Sequence, residues 1–373
     1  MSTESGQTTG RLHRAWIAYR LRWKRRELLW RAIRTGRRLS PLSDRTASIG
    51  KGDILLFASI RNEAARLPEF LAHYRRLGVQ HFLIVDNDSN DGSTEFLLRQ
   101  SDLSLWRSRD SYRTTRFGMD WVGALLLRHG HDHWCVTVDA DELLVYPDWD
   151  RRNLSDLTSR LDGRGQRGMG ALMLDLYPRA PLGQADALAD APLTERLPWF
   201  DAGPYRCTIA QPKGNRIVRG GVRERVFFSS EPDRAPTLNK LPLIRWHWRY
   251  VYVNSTHSLL PAGLNDLYDG PGDSRLSGVL LHSKFLPEIV EKSVEELQRR
   301  QHFTDPDSFV DYHRAIADAP ILWHGGSLRY QGWKQMVELG LMGTGESPPA
   351  PAIPGDVEAG LPLAAVEGMA ENE

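Results

Sequence analysis

The sequence predicts an α/β protein with a mostly parallel sheet flanked by helices. Short apolar runs of strand length alternate with segments of helical periodicity, and three of these runs end in a cluster of polar residues. Strands apolar along their whole length suit a sheet covered on both faces. Ligands of such sheets bind beyond the carboxyl ends of the strands. The polar residues that follow each run are therefore the candidate site.

Ile54–Ser59 (ILLFAS) is the first run. Leu67–Leu77 follows as a helix, with Leu67, Phe70, Leu71, Tyr74 and Leu77 on one face. His81–Asp86 (HFLIVD) is a second strand, Thr94–Arg99 a short helix and Leu103–Trp106 a third strand. Met119–Arg128 is a helix, and Trp134–Val138 (WCVTV) a fourth strand that runs into Asp139.

Composition divides the chain into residues 1–50, a folded region 51–344 and an acidic tail 345–373 rich in proline and poor in core-forming residues. The net charge of +1 gives no bulk attraction for nucleic acid. It conceals an asymmetry: residues 11–38 hold eleven Arg or Lys against Glu27 alone, and residues 345–373 hold six acids and no base. Within 11–38, Leu12, Trp16, Tyr19, Trp23, Trp30 and Ile33 recur at helical spacing, interrupted by Arg26. This basic amphipathic helix suits an anionic membrane interface or docking on the folded domain or a partner, and a linker follows it to residue 50. No apolar run reaches the ~18 residues of a membrane span, and Arg interrupts any signal-peptide core. Two distant cysteines, Cys135 and Cys207, form no zinc pattern and suit a reducing compartment. The expected location is cytoplasmic, with peripheral attachment at the inner membrane face as the alternative that the basic helix raises.

Three strand ends carry chemistry: Arg61-Asn62-Glu63-Ala64; Asp86-Asn87-Asp88-Ser89-Asn90-Asp91-Gly92-Ser93-Thr94; and Asp139-Ala140-Asp141-Glu142. Asp139 and Asp141 can present carboxylates to Mg²⁺ or Mn²⁺, with diphosphate oxygens and water as further ligands. Alternatively, acids simply end strands and cap helices. Asp86 can accept hydrogen bonds from a nucleotide base or ribose, while Asp91-Gly92 forms a turn with Asp91 or Ser93 as helix cap. Both readings hold together.

In this order the motifs resemble the family 2 glycosyltransferases and their relatives with the GT-A (Rossmann-like) fold. The resemblance covers residues 53–146, with Asn87 standing where the family's V-D-D has its second Asp. It implies donor contacts from Arg61, Asn62, Glu63, Asp86, Asn87 and Asp139, and a metal on Asp139 and Asp141. Residues 51–150 are then the nucleotide-sugar half and 151–344 the acceptor half. Pro242, three residues before Arg245-Trp246, breaks the Q-x-x-R-W signature of processive synthases. Leu174–Pro178, Gly220–Arg225 and Leu281–Phe285 are similar to a soluble bacterial subgroup.

The resulting expectation is a metal-dependent inverting transferase that moves a sugar from a nucleotide-sugar, UDP-linked by preference, to a hydroxyl of a glycan, a lipid-linked or a small acceptor. Such a reaction needs a base. Glu224 between Arg223 and Arg225 leads, with Asp175 and Asp201 behind it. His282 is expected to complete the metal site, with His257 a weaker competitor, and Lys284 to contact the diphosphate. His129, His131 and His133 are placed on the opposite rim, and Arg245–Trp248 either faces a sugar or packs. Two other functions compete: a sugar nucleotidyltransferase, whose glycine-rich loop is missing after the first strand, and a GT-A-like module that binds a glycan or partner without turnover.

Overall fold

A computed structural model describes residues 4–184, 191–299 and 310–346. The side chain of Leu12 and residues 347–373, which make up most of the expected tail, lie outside the described residues. Gly345 and Glu346 still belong to the folded body, where Arg164 donates to the Gly345 carbonyl and Arg160 pairs with Glu346.

Strands β1 (Ser40–Ser43), β2 (Ile54–Ile60), β3 (His81–Asp86), β4 (Leu103–Arg107), β5 (Trp134–Thr137), β6 (Glu142–Val145) and β7 (Gly168–Asp175) come first. They are followed by β8 (Trp199–Phe200), β9 (Tyr205–Ala210), β10 (Asn215–Gly220), β11 (Asn239–Arg245), β12 (Val251–Tyr252), β13 (Leu259–Leu260), β14 (Gly278–His282) and β15 (Leu328–Arg329). Nine of them form one sheet in the order β1-β4-β3-β2-β5-β11-β7-β14-β6. Six of the nine run the same way, and β1, β11 and β6 run against them. Every residue of β3 and β7 is buried, as their unbroken apolar runs require.

The helices are α1 (Glu4–Gly36), α2 (Leu67–Arg76), α3 (Ser93–Leu98), α4 (Met119–His129), α5 (Leu154–Gly163), α6 (Leu193–Arg196), α7 (Gly221–Phe227), α8 (Ile289–Arg299), α9 (Val310–Ala317) and α10 (Trp333–Glu338). The elements expected between Ile54 and Val138 all form, each within a residue or so of its expected ends. Helix α2 buries the apolar stripe Leu67, Phe70, Leu71 and Tyr74. Burying each such side chain contributes about 1.5–3 kcal/mol before entropy is charged.

The N-terminal region differs from expectation in two respects. The segment read as a linker supplies β1, which pairs antiparallel with β4 and closes that sheet edge. Helix α1 docks on α4 through small residues rather than aromatics: Ala32 is buried against Gly123, and a Cβ on Gly36 would come within 2.8 Å of Ala124 Cβ, while Leu28 packs with Val251 and Leu260. The aromatic stripe faces away from the domain.

Candidate functional site

Parallel pairing aligns the carboxyl ends of β2, β3, β4 and β5, with Ile60 beside Asp86, Asp86 beside Arg107 and Phe57 beside Thr137. The reversed strands β6 and β11 bring their first residues to the same edge. Glu142 therefore opposes His282 across β6 and β14, while His282 neighbours Asp175 across β14 and β7. Lys240 enters from the start of β11.

A cavity of about 1110 Å³ opens along this edge. Its volume lies just above the roughly 300–1,000 Å³ range of small-molecule sites. Among the described residues, nine Arg or Lys line it against six acids, so it suits a polyanion.

Asp139, Asp141 and Glu142 place carboxylate oxygens within 4.8 Å of one another. Three oxygen donors at that spacing fit a hard divalent cation. Buried Lys240 is already among them, its ammonium 3.1 Å from Asp139 and 2.9 Å from Glu142. Burial lifts the Glu142 carboxyl to about 7, against the pull of Lys240 and with a further push from Asp139 and Asp141. Burial also works against the Asp141 charge, but His282, Arg66 and Lys284 together hold that carboxyl well below the usual range.

His282 lies between two carboxylates, Nδ1 at 2.6 Å from Asp175 and Nε2 at 3.0 Å from Asp141. Burial opposes its charge, yet the two acids raise it to about 8, so at neutral pH it donates to both. The expectation that His282 completes a metal site meets this geometry: the nitrogen nearest the acid cluster already faces Asp141.

The residues expected on the donor side divide. Arg61, Asn62, Glu63 and Asn87 line the cavity. Asp86 does not, because the turn consumes its carboxylate: Oδ1 accepts from the Ser89 amide at 3.1 Å and hydroxyl at 2.5 Å, and Oδ2 from the Thr94 hydroxyl at 2.5 Å. The same turn holds the neighbouring strand end, with the Asn62, Glu63 and Ala64 amides donating to Ser89, Ser93 and Asp91. Glu63 in turn bridges Arg66 at 2.7 Å and Lys292 at 2.8 Å. Half-buried Lys284 lines the cavity, its pKa pushed down to about 8 by burial and by Arg223.

The expected bases lie elsewhere. On α7 the Arg-Glu-Arg run splits three ways: Arg223 pairs with Asp175 at 2.7 Å, Glu224 with Arg206 at 3.1 Å and Arg225 with Asp201 at 2.8 Å. Successive helical side chains diverge by roughly a quarter-turn, so one run cannot aim all three at one point. Neither Glu224 nor Asp175 lines the cavity. Asp175 is buried, with its oxygens spent on Arg223 and His282. Asp201 likewise serves Arg225 and Tyr177. His257 faces the cavity with Nδ1 2.5 Å from the Asn239 carbonyl. His131 stacks edge-on with His247 near the start of β5, away from the acids, and Trp246 is buried in the core.

Sequence reasoning missed Glu142 as a member of the acid cluster and Lys240, Arg66, Arg116 and Lys292 as cavity cations. Glu142 was within reach, being the next residue after the Asp-x-Asp pair. Lys240 carried no local signal.

An α/β sheet with an acidic cluster and a basic cavity at its carboxyl edge is the architecture that fold and site define together. No protein-family model matches the chain. A stretch of 96 residues is 31% identical to a glycosyltransferase family 92 protein of Oryza sativa subsp. japonica, covering 24% of this chain and 15% of that protein. The chain thus matches only a small part of that relative's length. A crystal structure of 4-diphosphocytidyl-2C-methyl-D-erythritol synthase aligns over 38% of this chain and 65% of that one, at 15% identity and a TM-score of 0.22, too low to carry weight.

Proposed function

We propose that the chain is a GT-A-type glycosyltransferase that moves a sugar from a nucleotide-sugar, UDP-linked by preference, to an acceptor hydroxyl. One observation carries this reading: Asp139, Asp141 and Glu142 gather beside a large cavity whose remaining charged lining is nine Arg or Lys against three acids. The partial likeness to a glycosyltransferase family 92 protein agrees with it.

The carboxylates of Asp139, Asp141 and Glu142 would hold Mn²⁺ or Mg²⁺, which supplies Lewis-acid neutralisation of the diphosphate. Lys240 holds Asp139 and Glu142 together through its own charge. Arg66, Lys284 and Lys292 present cations where negative charge grows on the leaving diphosphate as the sugar–phosphate bond breaks. Asn62 and Asn87 face the nucleotide side, with Asp86 shaping the turn beneath them. Asp175 acts through His282, fixing the imidazole against Asp141. An inverting course requires a carboxylate that takes the acceptor proton as the hydroxyl oxygen attacks. Glu295 and Glu296 of α8, which line the cavity apart from the acid cluster, replace Glu224 as candidates.

The test is nucleoside diphosphate release from a panel of nucleotide-sugars with and without Mn²⁺. Release that Mn²⁺ stimulates and Asp141→Asn abolishes is expected. Pyrophosphate release from a nucleoside triphosphate and sugar phosphate would make the protein a nucleotidyltransferase instead. Binding without any turnover would leave a glycan- or partner-binding module.

A further inference from the structure

Helix α1 carries Trp16, Tyr19, Trp23 and Trp30, each more than half exposed. Positions 16, 19, 23 and 30 fall on one side of a helix, opposite the side on which Leu28 and Ala32 pack inward. Contiguous exposed aromatics of this size mark an interaction surface. Cations accompany the rings: the Arg20 guanidinium lies 4.6 Å from the Trp16 ring centre and that of Arg26 5.2 Å from Trp23. Arg22, Lys24 and Arg34 are exposed along the same helix, and Arg37 and Arg38 just past its end.

The helix is fixed beside the cavity: Arg31 and Arg116 share Asp120 at 2.8 and 3.0 Å, and Arg116 lines the cavity wall.

We infer that α1 docks this protein on an anionic lipid surface, with the aromatic rings at headgroup depth and the arginines on lipid phosphates. Tryptophan and tyrosine favour that depth, and basic side chains are drawn to acidic headgroups. Charge selects the occupant. A second copy would bring the same excess of Arg and Lys against this face, whereas an anionic bilayer complements it. No described helix is long and apolar enough to cross a membrane, so α1 lies along the surface.

The full chain is sedimented with vesicles of phosphatidylcholine and with vesicles that also contain phosphatidylglycerol. Binding to the anionic vesicles alone, weakened by salt, is expected. The triple variant W16A/W23A/W30A should bind roughly tenfold more weakly, and R22E/R26E should lose anionic selectivity. Circular dichroism and melting temperature should match the parent, because these side chains are exposed. Equal binding of parent and triple variant, equal binding to neutral vesicles, or no binding at all would overturn the inference. So would a dimer, seen by analytical ultracentrifugation, that the triple variant abolishes. None of these readouts depends on sugar transfer.

Discussion

The two halves of the central sheet build the same edge in different ways. From β2 to β5 the strands are parallel, and their polar ends are held by neighbours close in sequence or on the next strand: Asp86 by Ser89 and Thr94, Asn62 by Ser89 and Asn90. From β6 onward the sheet is mixed, with β6 and β11 reversed against parallel β7 and β14, and the edge is completed by partners far apart in the chain. Lys240 meets Asp139 across 101 residues, and His282 meets Asp141 across 141. The parallel half supplies a frame and a turn. The mixed half supplies the charges that decide what the acids can do.

The largest expected effect tests whether chemistry sits where the halves meet. Asp141→Asn should lower nucleoside diphosphate release about a thousandfold, by loss of charge at the developing diphosphate. A variant with near-parent turnover and an intact fold would remove Asp141 from the site.

Stability should separate the halves next. Asp175→Ala leaves buried Arg223 without its carboxylate, and breaking such a pair costs about 3–5 kcal/mol. Urea denaturation measures this. A loss below about 1 kcal/mol would mean that the Arg223–Asp175 pair does not order the mixed half.

The third effect is a pH dependence. His73, in the frame half, donates to the Leu144 carbonyl at 2.8 Å, and burial pushes its pKa down to about 4. His257, in the mixed half, is lowered to about 3 by burial and Lys240. Both are depressed in the folded chain, so between about pH 6.5 and 4 the unfolded chain binds more protons. Stability should therefore fall as pH is lowered through that window, by about 1–3 kcal/mol for each histidine. Melting curves of His73→Gln should be flatter there than those of the parent. An unchanged slope would show that His73 does not titrate differently on unfolding.

The smallest effect is a negative one. Glu224→Gln removes a part-exposed pair with Arg206 and should cost no more than about 1 kcal/mol, with turnover within about twofold. A collapse of turnover would restore Glu224 as the base and overturn the division between α7 and the cavity.

Apolar runs and helical stripes were sufficient to read the frame, because burial on both faces leaves a local, periodic mark. His81–Asp86 is the clearest case. Asp-x-Asp was equally legible, since a polar pair after a buried strand has to emerge at the edge. Within the Asp86 turn the order of residues was readable, but not the inward rotation of the carboxylate, which depends on where Ser89 and Thr94 fold back. The arginines that flank Glu224 in sequence do not flank it in space once the segment is helical, since Arg223 turns to Asp175 and Arg225 to Asp201.

The amino-acid order alone thus determined the alternation of elements, the edge on which polar groups gather and the basic aromatic character of the first helix. Only tertiary structure decided that Lys240 sits among the acids, that His282 is held between Asp141 and Asp175, and that the aromatics of α1 turn away from the domain. The reason is range: periodic burial is written over a few neighbouring residues, whereas strand reversal and side-chain pairing join positions whose separation leaves no pattern to read.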